Sequence, residues 1–401
     1  MDKRERGTRV VIAGGGTGGH VFPGLAVAHA ICRARPGSVV SFAGTARGIE
    51  ARVVPAEGFA LDLIRSAGLK GKSAASRARG LALLPASGLD AWRVIGRRRP
   101  HVVMGVGGYS SGPVVMAAAV RGVPTLVLEQ NAVPGLANRL LSRVVDAAAV
   151  TYEETLRWFG TRGFVSGNPV RAGFLESAGP APRLEGRPAR LLVFGGSQGA
   201  HGINVAMLEA APRLSATNMD VTHQTGVADL EAVREAYHAA GLRARVEPFL
   251  DHMDREMAAA DLIVCRAGAT TLAELAAAGR AAVLVPLPTA TDDHQRRNAE
   301  ALVSAGAALM IEQRDLTGAR LADTLGALVA DEPRRLRIAT AVRCLARPEA
   351  AEVIAARLLA LADRTASSGG SAAVTMSRRR SQGARRRANS PAAAIERAPR
   401  R

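Results

Sequence analysis

At 401 residues the chain is longer than one ordinary core and fits two domains of ~150 to 200 residues each. Hydrophobic residues make up 48% and charged residues 22%, a soluble globular composition, and no run approaches the ~18 apolar residues of a membrane span, so any membrane contact is expected to be peripheral. The net charge of +18 is uneven: residues 366–401 hold nine Arg against one Glu, so eight of those charges sit in a small-residue, polar stretch that cannot bury enough surface to fold. This segment reads as a disordered, solvated basic tail, with weak attraction to anionic lipid or nucleic acid as the alternative. Cys32, Cys265 and Cys344 stand far apart, without a C-x-x-C or a signal-peptide pattern. A reducing cytosol is expected, with no zinc site and no disulfide framework.

The first element is the apolar strand "RVVIAG", which runs into "GGTGGH" so that Gly14, Gly16 and Gly19 fit G-x-G-x-x-G. Such a turn lets backbone N–H groups and a helix N-terminus approach an anion. A dinucleotide site also needs an acid roughly 20 residues on to hold the ribose. The second strand, "SVVSFAGT", ends in Ala43, Gly44 and Thr45, so the loop reads as a phosphate cradle rather than a dehydrogenase fingerprint.

"ALDLI", "HVVMGV", "PTLVLEQ" and "AAAVTY" follow as further strands alternating with amphipathic helical stretches, the pattern of parallel α/β domains. Residues 176–190, with three Pro and two Gly, form the natural linker. Beyond it come "ARLLVFGG", "DVTHQTG", "RARVEPF", "DLIVCRAG" and "AAVLVPLP". The opening motif recurs as "RLLVFGGSQGAH", with His20 and His201 each closing a glycine turn. Two Rossmann-like halves facing across a cleft is the economical architecture. The expected division is an N-terminal domain over 1–175, a C-terminal domain over 191–365 whose last helix is free to pack back on the first, and the tail over 366–401.

After "DLIVC" the turn "RAGATT" opens the helix "LAELAAAG", whose first turn presents N–H groups above the sheet. Phosphates placed there would lie near Gly268, Ala269 and Thr270. Glu274, one turn on, could accept from vicinal ribose hydroxyls or be a solvated, dipole-favoured carboxylate. In "TATDDHQRRN" the crowding of Asp292, Asp293 and His294 is read as helix capping rather than as a metal site, because consecutive residues at a helix start point in different directions.

The blocks "GGGTGGHVFPGLAVA", "GVGGYSSGPVV", "LEQNAVPGLANRLLSR", "GNPVR", "VFGGSQGA" and "CRAGATTLAELAAAGRAAVLVPLPTATDDHQRRNA" occur in one order between about residues 9 and 360. Together they closely resemble the MurG family of bacterial lipid II synthases, family 28 glycosyltransferases of GT-B fold. The resemblance implies α/β architecture with parallel sheets, and transfer of N-acetylglucosamine from UDP-N-acetylglucosamine to the muramyl 4-hydroxyl of the lipid I acceptor. It implies donor contacts at Thr17, Gly18, Gly19, Asn131, Arg171, Ser197, Leu250, Ala269, Thr270, Thr271, Leu272, Ala273, Glu274 and Gln295. Leu250 would act through its backbone beside the uracil. No cofactor and no metal are implied, since Arg171 and the helix ends can offset the charge of departing UDP.

The acceptor hydroxyl needs a base. His20 is the leading candidate, with phosphate or helix-cap binding as its alternative role, and Glu129 at the end of "PTLVLEQN" is the rival. The family usually has His before this Glu, whereas Leu128 stands here, so that His is not essential to this chain's chemistry. Direct attack would invert the anomeric carbon to a β-1,4 bond. Leu81, Leu83, Leu84 and Trp92, among Lys70, Lys72, Arg77, Arg79, Arg97, Arg98 and Arg99, match the family's patch for an anionic membrane surface. The resemblance thus points to the cytoplasmic face of the membrane, with other cell-wall synthesis proteins as further candidate partners. Nucleic acid is disfavoured as a partner, because the basic tail lacks stacking aromatics and a recognition fold. Another GT-B transferase with a lipid acceptor is the alternative enzyme reading.

Overall fold

The computed structural model describes residues 7–66, 83–177, 179, 184, 186–196 and 199–364. The tail, residues 67–82 of the basic apolar stretch, and Ser197 lie outside them.

Runs such as Val10-Val11-Ile12 and Leu191-Leu192-Val193 are apolar at every position, as strands buried on both faces must be. They build two sheets in which every pairing is parallel. The first contains β1 (Arg9–Gly14), β2 (Val39–Gly44), β3 (Ala60–Leu63), β4 (Val102–Gly107), β5 (Thr125–Glu129), β6 (Ala147–Val150) and β7 (Gly163–Val165), in the order β3-β2-β1-β4-β5-β6-β7. The second contains β8 (Ala189–Phe194), β9 (Met219–Gln224), β10 (Ala244–Glu247), β11 (Leu262–Cys265), β12 (Ala281–Leu284) and β13 (Leu309–Met310), in the order β10-β9-β8-β11-β12-β13. Thus β1 pairs with β2 and β4 as β8 pairs with β9 and β11, so the two glycine loops leave equivalent central strands where the strand order reverses. That is the crevice in which an open α/β sheet binds its ligands.

Two strands were not expected from the sequence: β7 has three partly exposed residues and β13 only two. Conversely, "AAVLVPLP" stops being a strand at Leu284, because Pro286 and Pro288 have no N–H for a ladder.

Alternate residues of each strand serve opposite layers. Val10, Ile12, Val102 and Met104 pack against Leu25 and Ile31 of the helix Gly18–Ala34. Val11, Val103 and Val127 pack against Val94 and Ile95 of the helix Leu84–Arg98 and Val114 of the helix Ser111–Val120. In the second sheet Leu191, Val193 and Val264 meet Ile203 and Leu325, whereas Leu192, Ile263 and Cys265 meet Leu272 and Leu275.

The helix over residues 350–364 follows the second sheet in sequence but packs on the first. Ile354, Leu358 and Leu361 join the cluster of Val10 and Ile12, and ion pairs Arg33–Glu352 at 2.7 Å and Arg35–Asp363 at 2.8 Å flank it. The chain therefore straps the two sheets together twice. Leu358 is fully buried, so Leu358→Ala should lower the free energy of urea unfolding by ~2 to 5 kcal/mol, whereas at Val353, 41% exposed, the same change should cost less than ~0.5 kcal/mol. Equal effects at both positions would contradict the docking of this helix.

Candidate active site

The first glycine loop is packed from below and from the side. Gly107 and Gly108, at the end of β4, have φ of +95° and +81°, and neither could carry a side chain. A Cβ on Gly107 would come within 2.7 Å of the His20 ring, and one on Gly108 within 2.4 Å of the Gly15 carbonyl. The block "GVGGYSS" is thereby explained as the floor on which the loop and His20 rest. His20 Nδ1 lies 3.2 Å from the Thr17 hydroxyl. Burial pushes the His20 pKa below the ordinary histidine value, a hydrogen bond to the Gly15 backbone pulls the other way, and His294 from the opposite domain adds to the lowering.

Opposite this loop stands the helix Ala269–Ala278, with Gly268 at its N-cap. The Thr270 hydroxyl donates to the Gly19 carbonyl at 3.0 Å and accepts from Asn168 Nδ2 at 3.4 Å. Two helix N-termini, one from each sheet, therefore meet within a single hydrogen bond. Each leaves its first N–H groups without intrahelical partners and carries positive potential, so the space between them suits an anion.

Arg171 and Glu274 are brought together. Glu274 Oε1 accepts from Arg171 Nη2 at 2.8 Å and Nε at 3.2 Å, and the guanidinium also lies over Phe22 at 4.6 Å and Phe174 at 4.8 Å. Burial raises the Glu274 pKa, and the charge of Arg171 opposes the rise. Of the other residues in this helix, Leu272 turns its side chain into the core and donates its N–H to the Gly268 carbonyl at 3.0 Å, while Ala273 and Thr271 are half-buried.

Glu129 is nearly fully buried at the end of β5 and is occupied on both oxygens. Its Oε1 accepts from the Asn131 N–H and Nδ2, both at 3.0 Å, and its Oε2 from the Gly135 N–H at 3.0 Å and Asn138 Nδ2 at 2.9 Å. Burial raises its pKa against these four bonds. Such a carboxylate organises the loop that follows it. Asn131 in turn meets Asn298 Nδ2 at 3.2 Å, and Asn298 Oδ1 accepts the Ala132 N–H at 3.0 Å, a second bridge between the domains. Arg139 and Asp292 make a third at 2.8 Å.

Gln295, the second residue of the helix His294–Ser304, has its Oε1 accepting from the Leu287 N–H at 3.0 Å and the Ala267 N–H at 3.3 Å. The second glycine loop is held by Gln224, missed in the sequence because it reads as one more strand residue. Its Nε2 donates to the Gly196 carbonyl at 2.7 Å, and its Oε1 accepts the Leu250 N–H at 3.1 Å. The Leu250 N–H is thus spent, and its carbonyl remains. Next to Gln224, His223 is fully buried, with Nδ1 2.8 Å from the Tyr237 hydroxyl and Nε2 3.1 Å from Asn204 Oδ1. An Asn carbonyl only accepts, so Nε2 carries the proton and Nδ1 takes the Tyr237 proton, which is a neutral ring.

Residues 10–150 match the model of the glycosyltransferase family 28 N-terminal domain, and residues 190–354 that of the glycosyltransferase family 28 C-terminal domain. A protein of Anaeromyxobacter sp. (strain K), named UDP-N-acetylglucosamine--N-acetylmuramyl-(pentapeptide) pyrophosphoryl-undecaprenol N-acetylglucosamine transferase, is 50% identical over 350 residues, 86% of this chain and 91% of its own length. The protein of the same name from Myxococcus xanthus (strain DK1622) is 46% identical with the same coverage. The crystal structure of Acinetobacter baumannii MurG is similar with a TM-score of 0.72 at 32% identity, covering 88% of this chain and 99% of that one. A UDP-GlcNAc 2-epimerase from Neisseria meningitidis, bound to UDP-GlcNAc, has a TM-score of 0.63 at 12% identity over 88% of this chain and 99% of its own, a likeness of fold alone.

Burial holds the His223 pKa at about 3. The unfolded chain takes up a proton near pH 6.5 and the folded one does not, so the stability from this ring is complete above pH 6.5 and is lost as pH falls toward 3, by ~1.4 kcal/mol per pH unit. Between pH 6.5 and 5 the measured stability should fall more steeply in the native chain than in His223→Leu, by about one proton's slope. Parallel pH profiles would contradict a buried neutral ring.

Proposed function

The chain belongs to glycosyltransferase family 28, and from that premise we propose how its cleft performs the transfer. It is a GT-B glycosyltransferase that moves N-acetylglucosamine from UDP-N-acetylglucosamine to N-acetylmuramyl-(pentapeptide) pyrophosphoryl-undecaprenol, a step of peptidoglycan synthesis that yields lipid II. In our reading residues 1–175 form the acceptor domain and 191–365 the donor domain, with the donor lying between them. The observation that carries this reading is the Thr270–Gly19 bond, which sets two helix N-termini face to face.

The donor diphosphate occupies that space, against the amides of Gly18 and Gly19 on one side and Ala269, Thr270 and Thr271 on the other. Arg171 stands beside it and offsets the charge that grows on UDP as the glycosidic bond breaks, so the reaction proceeds without a metal. Glu274 exchanges part of its pairing with Arg171 for the ribose hydroxyls. The Leu250 carbonyl faces the uracil, Gln295 and Asn131 read the sugar hydroxyls, and Thr17, Ser197, Leu272 and Ala273 complete the donor set. Attack of the muramyl 4-hydroxyl on the anomeric carbon, with its proton passing to His20, inverts that carbon in one step. Glu129, with both oxygens engaged, shapes the loop that carries Asn131 and leaves the base role to His20.

The lipid acceptor requires an approach to the bilayer surface. No described helix is long and apolar enough to cross a membrane. Leu84, Leu89 and Trp92 are exposed on the helix Leu84–Arg98, beside Met116 and Val120 on the neighbouring helix, and Arg121 lies 3.9 Å over the Trp92 ring. Apolar side chains rimmed by arginines suit a peripheral docking face for anionic lipid at the cytoplasmic leaflet. Arg97 and Arg98 contribute less there than their sequence suggests, since both converge on Asp62.

The direct test is to incubate the purified chain with UDP-N-acetylglucosamine and a lipid I analogue: disaccharide product is expected, and hydrolysis alone, or no reaction, would refute the reading. Glu274→Ala should raise the donor dissociation constant by roughly 10- to 150-fold, since bonds to a charged group contribute ~1.5 to 3 kcal/mol, with the melting temperature little changed. Unaltered donor affinity in the folded variant would remove Glu274 from the site. His20→Ala should cut turnover at saturating substrates by ~10² to 10⁴, while Glu129→Gln should chiefly lower the melting temperature. Because the His20 pKa is lowered, its neutral form persists below pH 6.5, so the acidic limb of turnover should lie on the acid side of that value and vanish in His20→Ala. Near-normal turnover in His20→Ala with a well-folded but inactive Glu129→Gln would transfer the base role to Glu129.

A further inference from the structure

One buried acid takes no part in the scheme above. Glu50 opens the short helix after β2, is fully buried, and accepts hydrogen bonds from the Gly16 N–H at 2.7 Å, the Thr45 N–H at 2.8 Å and the Thr45 hydroxyl at 2.8 Å. Glycines make its chamber, for a Cβ on Gly15, Gly44 or Gly48 would stand 2.3, 2.6 or 2.0 Å from its side chain. Burial works against its charge, but the bonds from Gly16 and Thr45 outweigh it and hold this acid below the ordinary glutamate range. It is ionised at neutral pH.

An anion beneath an anion-receiving loop is electrostatically costly. It opposes a diphosphate and also takes the Gly16 N–H out of the set that a phosphate could use. What it supplies is orientation: three donors converge on it, and only an acceptor-only group satisfies all three. With the Gly16 N–H turned inward, the loop reverses so that the helix start at Gly18 and Gly19, and His20, face the cleft.

We propose that Glu50 is a positioning residue for the transfer, whose carboxylate locks the first glycine loop in the form that aims His20 at the reacting groups. The proposal rests on His20 being the base. The groups facing His20 are the Thr17 hydroxyl and Gly15 backbone of its own loop, Gly107 from β4, His294 from the second domain and Glu50 below. Among these Glu50 is the one negative charge, and it offsets the unfavourable influence of His294 and of burial on a protonated ring.

The test uses the full chain with UDP-N-acetylglucosamine and a lipid I analogue, and measures turnover, donor affinity, the acidic limb of turnover and melting temperature. Glu50→Gln leaves a donor facing donors, and Gly48→Ala drives a Cβ into the carboxylate without removing its charge. Both should lower turnover per folded molecule by ~10- to 100-fold at saturating substrates, the scale expected of a misplaced catalytic group, and shift the donor dissociation constant by less than about threefold. Loss of a negative charge disfavours the protonated imidazole, so Glu50→Gln alone should move the acidic limb to lower pH. Combining Glu50→Gln with His20→Ala should be no slower than His20→Ala. Wild-type turnover in folded Glu50→Gln, or effects that multiply in the double variant, would overturn the proposal. Failure of the base assignment is seen separately, as near-normal turnover in His20→Ala alone.

Discussion

Two helices that begin at the carboxyl ends of parallel strands point their N-termini at each other across the cleft, and this convergence governs the rest of the molecule. Each end carries unpaired amides and about half a positive charge, so bringing them within one hydrogen bond, Thr270 to Gly19, is unfavourable unless something negative lies between. The fold imposes this convergence by topology. Equivalent central strands, β1 and β4 in one sheet and β8 and β11 in the other, put their loops on facing edges. The returning helix over 350–364 keeps the sheets strapped together.

The neighbourhood of this gap is neutralised by pairing instead of being left open. Arg171 and Glu274 hold each other, Glu129 is saturated by its own loop, and Asn298 and Asp292 bridge to Asn131 and Arg139. Groups proposed to meet the donor are therefore already placed by protein partners, which limits the ordering that binding must supply. Under the proposed function the charged pair is the element that rearranges: a ribose hydroxyl takes over part of what the guanidinium gives Glu274, and the released guanidinium faces phosphate. On that proposal, donor entry exchanges one charge-assisted arrangement for another.

How much of this could be read from the residues varied with the range of the interaction. The sheets were legible because their central strands are apolar runs and the polar-containing β9 and β10 are bounded by turns, while β7 and β13 are too short to read. The glycine loops and the place of Glu274 at a helix start were legible because strand-end turns and helix starts are local patterns, whereas Arg171 and Gln295 were singled out by the family resemblance. Glu50 was not: in "ARGIEARVV" it looks like an ordinary helix acid, and its partner Gly16 lies 34 residues away. The flanking Gly44 and Gly48, which clear its chamber, were the available hint. Gln224 is hidden for the same reason, with Leu250 26 residues distant. Glu129 was expected as a rival base at the end of its strand; it ends β5, and the donors saturating it, Asn131, Gly135 and Asn138, all lie within nine residues of it and mark a loop anchor.

The central claim is that the facing helix ends are the diphosphate site and that the Arg171–Glu274 pair yields to the donor. A crystal structure of the full chain with UDP-N-acetylglucosamine tests both. The account predicts a diphosphate between the Gly18–Gly19 amides and the start of the helix Ala269–Ala278, Arg171 turned onto a phosphate oxygen, and Glu274 on the ribose. A diphosphate bound elsewhere, with Arg171 and Glu274 still joined as they are without it, would contradict the account.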